Sequence, residues 1–113
     1  MKLHTYAVAG AKMGMREDFI EQLSPLIMAL TLSGVNICTR TGISNSYFIS
    51  MSHDGIPATF GVFLYDDKTI GIRSTIGSST TVYGCSNSIR RRIISVEDAV
   101  KKVTAEILEY LGK

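Results

Sequence analysis

Along this chain the spacing of hydrophobic and polar positions changes several times, and each change marks an element. Residues 2–9 alternate, with Lys2, His4, Tyr6 and Val8 set against Leu3, Thr5, Ala7 and Ala9, which is the period of a first β-strand. Gly10 to Gly14 then breaks the pattern as a tight turn. From Met15 the apolar residues fall at Met15, Phe19, Leu23, Leu26 and Leu30, with Ile20 and Ile27 beside them, a three-four spacing that stacks them on one helix face. Glu17 and Asp18 suit the positive end of that helix. Ser24-Pro25 leaves two readings open. Either the helix is kinked there, or Ser24 caps a second short helix with Pro25 in its first position. Ser33-Gly34 ends it in both cases.

From Val35 the period becomes two. Val35, Ile37, Thr39, Thr41 and Ile43 share one face of a strand that turns at Ser44-Asn45, and Tyr47, Ile49 and Met51 form the next apolar face. Asp54-Gly55 between alternating runs predicts a type I′ hairpin. The returning strand groups Ile56, Ala58, Phe60, Val62 and Leu64. After a turn at Asp66 to Lys68, Ile70, Ile72 and Ile76 continue the pattern with Ser74 among them. Thr80 to Cys85 reads as a further strand, and 87–94 as strand or turn. Ser95 with Asp98 three residues later resembles a capping box. It opens a helix with the stripe Val96, Val100, Val103, Ile107 and Tyr110 or Leu111, leaving Lys101, Lys102, Glu106 and Glu109 to face water. Short turns make neighbouring strands antiparallel. The expected fold is α+β: one domain over residues 1–113, an antiparallel meander sheet of five to six strands with an N-terminal and a C-terminal helix packed against it.

One feature departs from ordinary amphipathic patterning. Between Glu21 and Arg40 no side chain is charged, and Pro25 to Leu32 is apolar nearly all round if helical. Pro25, Met28, Ala29 and Leu32 fall off or at the edge of the stripe and need a second cover, which is either the C-terminal helix or a second copy of the chain. They are the candidate interface of a homodimer.

Composition narrows the picture. At 113 residues, 45% of them hydrophobic and 19% charged, the chain supports a single core without disulfides. Its net charge of +2 is lower than a general nucleic-acid binder concentrates, so only a local patch would serve that function. Charged residues from Lys12 to Asp18 follow the start too closely for a signal-peptide core, and the longest apolar run falls short of the roughly 20 residues of a bilayer span. A cytoplasmic location is expected, with no membrane contact. Cys38 and Cys85 read as free, partly buried thiols. With only His4 and His53 beside them, no metal site and no cofactor is expected.

Candidate chemistry concentrates in one segment. Ser74 to Ile89 holds eight serines and threonines and no charge, and Arg90, Arg91 and Arg92 follow directly. Arg73, Ser78, Ser79 and Thr80 with these arginines form the candidate ligand site, since hydroxyls, turn amides and guanidinium forks bind anionic oxygens. The same composition also suits the wet face of an antiparallel sheet with a guarded edge. Gly10 to Gly14 has neither the spacing of a Walker loop nor that of a dinucleotide fingerprint. His53 beside Asp54 has no nucleophile in local register, so no catalytic residue is assigned. Phe48, Phe63 and Tyr65 occupy the sheet face opposite Tyr47 and Phe60. There they pack under a helix or, with Arg40 and Arg73, stack bases; packing is the favoured expectation. The sequence therefore reads as a non-catalytic binding or regulatory protein, homodimeric, contacting a protein or a small anionic ligand. The alternatives are a nucleic-acid binder using Arg90 to Arg92 and aromatic strand residues, and a small enzyme or nucleotide-binding protein with a site assembled by tertiary contacts.

Overall fold

A computed structural model describes residues 11–42, 46–65, 69–83 and 93–112, with backbone alone at residues 11–14 and 83. Helix α1 (Ala11–Leu32) is followed by β1 (Asn36–Thr41), β2 (Ser46–His53), β3 (Ile56–Leu64), β4 (Ile70–Ile76) and β5 (Ser79–Tyr83), and α2 (Val96–Tyr110) completes the order. The five strands form one antiparallel sheet in sequence order. This is the expected α+β meander. The predicted strand over 2–9, the Ser44-Asn45 and Asp66 to Lys68 turns, and residues 87–92 lie outside the described residues.

Helix α1 begins at Ala11, so Lys12, Met13 and Gly14 are helical and no tight turn runs as far as Gly14. Pro25 sits inside a single helix. Ser24 does not cap a second one, because its hydroxyl donates to the Ile20 carbonyl at 2.7 Å. The hydroxyl thus satisfies a carbonyl close to the turn where Pro25 supplies no N–H. The stripe is as expected: Phe19, Leu23 and Leu30 are buried, with Met15, Ile20, Leu26 and Ile27 packed beside them.

The β2–β3 turn has both central residues at positive φ, Asp54 at 54° and Gly55 at 78°, as a type I′ turn requires. His53 pairs with Ile56 across it. That register puts Tyr47, Ile49 and Met51 on the same face as Ala58, Phe60, Val62 and Leu64, and Ile70 and Ile72 join them from β4. Both helices pack on this face: Ala99, Val103, Ile107 and Leu111 enter the same core as Phe19 and Leu23. Ser95 caps α2, its Oγ accepting from the Asp98 N–H at 3.0 Å.

Glu106 does not face water as expected. Its side chain is only 11% exposed; one carboxylate oxygen accepts from the Ser74 hydroxyl and the other lies 3.4 Å from Lys102 Nζ. Ser74 is the polar residue on the helix-side face of β4, among Ile70, Ile72 and Ile76, and this bond fastens α2 to the sheet. Cys38 is also more open than expected: it is free and exposed on β1, while Cys85 lies outside the described residues.

Candidate functional site

Three surfaces carry the groups that a ligand or partner could use. The first is the sheet face turned away from the helices. Pairing brings Arg40, Phe48, Gly61 and Arg73 into one row across β1 to β4, each opposite the next. The Arg40 guanidinium stands 4.5 Å from the Phe48 ring centroid, and that of Arg73 lies 5.7 Å from the Phe63 centroid. The two rings meet edge to face with centroids 5.7 Å apart. They converge over Gly61, where an added Cβ would lie 3.1 Å from Phe48 Cε1 and 3.3 Å from Phe63 Cε2. Glycine is thus what leaves room for both rings to meet above β3. Phe48 and Phe63 do not pack under either described helix, contrary to the favoured expectation, because the sidedness fixed by Phe60 and Ile49 sends both of these helices to the opposite face.

Of the predicted ligand residues, the structure gathers only two here. Arg73 is exposed on this face, and Thr80 shares it, its Oγ1 lying 3.4 Å from that of Thr75. Ser79 pairs with Ile76 and so sits on the helix side, and Ser78 lies in the β4–β5 turn. Alternation along the strand separates residues that are neighbours in sequence. Arg90, Arg91 and Arg92 lie outside the described residues. The cross-strand alignment of Arg40 with Phe48 and Arg73 follows from register, which sequence spacing does not show across several hairpins.

The second surface is a groove of about 450 Å³ between α1 and β1, lined by Ile20, Ile27, Met28, Leu32, Thr39 and Tyr47 among others. All four residues of the predicted interface, Pro25, Met28, Ala29 and Leu32, are exposed on α1. Met28 is 64% exposed and Leu32 82%. The C-terminal helix packs beside α1 without covering them.

The third is a cleft of about 610 Å³ where the end of α2 meets the β2–β3 hairpin, lined by His53, Asp54, Ser74, Glu106, Glu109 and Tyr110 among others. Its polar groups are largely spent on one another. Ser74 donates to Glu106, Tyr110 Oη donates to the Ile56 carbonyl, and His53 Nε2 lies 3.4 Å from Asp54 Oδ2. Ser74 is 3% exposed, and as a hydroxyl held by a carboxylate inside the sheet it is placed to fasten helix to strand, not to attack a substrate. Among the described residues no group of three or more His, Cys, Asp or Glu could hold a metal ion, and no helix is long and apolar enough to cross a membrane. No protein-family model, curated protein or solved structure matches the chain.

Proposed function

We propose that the protein is a non-catalytic binding or regulatory protein that works as a homodimer, the copies meeting along α1 beside β1. The observation that carries this reading is the exposure of Met28 and Leu32 at the rim of an apolar groove, on a helix flank without a charged residue from Gln22 onward. Burying a side chain of this kind is worth about 1.5–3 kcal/mol. In a two-fold contact each counts twice, and with Met28 64% and Leu32 82% exposed these two positions offer roughly 4–9 kcal/mol before the cost of association is subtracted. The groove supplies a receptor for the same side chains, Tyr47 and Thr39 forming its floor on the sheet side. Self-complementarity of this sort, a knob beside its own hole, is what a two-fold interface needs.

At the third surface the Ser74 hydroxyl bonds the Glu106 carboxylate and the Tyr110 phenol bonds the Ile56 backbone carbonyl, a junction that fastens α2 to the sheet. Light scattering of the purified wild type tests the proposal: a mass of twice the 12.3 kDa chain is expected, and a monomer at working concentration would end it.

A further inference from the structure

The geometry points to the sheet face opposite both described helices as a binding site for single-stranded nucleic acid. Four observations lead there. The only charged side chains that the described strands place on this face are Arg40 and Arg73; neither is paired with a carboxylate among the described residues. They are three strand spacings apart, about 14 Å. That backbone spacing suits a chain of phosphates that follows the row from one arginine to the other. Between them lie the rings of Phe48 and Phe63, so the ligand must carry flat apolar surfaces between its negative charges. Beside the rings runs a hydroxyl row, with Ser50 Oγ 3.3 Å from Thr59 Oγ1 and Thr75 Oγ1 3.4 Å from Thr80 Oγ1.

An extended single strand meets all four demands. Its bases stack on the phenylalanine rings or on the guanidinium planes above them, its phosphates pair with the arginines, and the hydroxyls reach sugar and base edges. A duplex keeps its bases inside and offers the rings nothing. An acidic peptide supplies charge but no π-faces. The net charge of +2 means that the attraction is local to this face, and its salt dependence is correspondingly shallow. The site stands apart from α1 and does not depend on the dimer contact.

The test is fluorescence anisotropy with labelled oligothymidine, oligouridine, a DNA duplex and a polyglutamate peptide at low salt. Single strands are expected to bind more tightly than the duplex. With two phosphates neutralised, log affinity should fall against log salt with a slope of about −1.4. The exposed pair Arg40→Gln with Arg73→Gln is expected to keep its thermal melt and lose most of that slope. Phe48→Leu, which keeps apolar bulk without a stacking face, is expected to weaken binding by about 5- to 150-fold while leaving the slope in place. Any one of four results would overturn the inference: no single-strand binding by the folded wild type, equal binding of the duplex, equal binding of polyglutamate, or unchanged affinity in the folded arginine pair.

Discussion

Glu106 and Gly61 show how much single residues of this chain depend on partners distant in sequence. Glu106 sits one residue before fully buried Ile107 on α2 and would be a costly neighbour for the core if unpaired. Ser74 and Lys102 divide its two oxygens between them. Removing the serine hydroxyl leaves a largely buried carboxylate short of one donor, so Ser74→Ala and Glu106→Gln should each destabilise. A double-mutant cycle read by urea unfolding is expected to show coupling of about 1–3 kcal/mol. A coupling near zero would mean that Lys102 alone satisfies the carboxylate. Gly61 has the reverse role, since its lack of a side chain is what two aromatic rings occupy. Gly61→Val should cost about 1–3 kcal/mol through overpacking and displace both rings.

At the scale of elements, α1 is held by its packing across an unfavourable Pro25, and α2 agrees with its sequence at its cap and along its buried stripe but not at Glu106. Pro25 inside α1 removes a backbone donor, and the exposed side chain gains little burial in return within one chain. Pro25→Ala is therefore expected to raise the melting temperature, by an amount set by a propensity difference of up to about 3 kcal/mol. A lowered melting temperature would show that the proline rigidifies α1 usefully. Helix α2 begins on a formed cap, and Ser95→Ala should cost about 1 kcal/mol, seen as a fall of several degrees in the thermal melt. The hairpin at Asp54-Gly55, the Ser95 cap and the Phe19, Leu23, Leu30 stripe were all legible in the sequence, because each is set by residues within one or two turns of each other. The fate of Glu106 was not. Its partner Ser74 is 32 residues away, and only the oddity of a serine on an isoleucine-rich strand face hinted that it needed one.

For the whole molecule, the governing fact is that one sheet face takes both helices. Alternation along β2 and β3 sets out two aromatic-bearing faces, with Tyr47 and Phe60 on one and Phe48 and Phe63 on the other; local pattern marks the first as core but does not say whether the second is covered as well. The core settled on the first, where Ile49, Val62, Ile70 and Ile72 lie fully buried and Phe19 meets Tyr47 edge to face at 6.0 Å. The candidate ligand segment was legible only in part for a related reason: Arg73 and Thr80 share a face, Ser79 turns away, and their real neighbours Arg40 and Phe48 come from earlier strands. By contrast, the off-stripe residues of α1 were readable, since helical periodicity alone places Met28 and Leu32 away from the core. Their exposure makes the dimer the central claim. Sedimentation velocity of wild type and Met28→Glu, run side by side over about 1–100 µM, tests it most directly. The wild type is expected to sediment as a dimer and the folded variant as a monomer; a monomeric wild type, or a dimer indifferent to Met28→Glu, would contradict it.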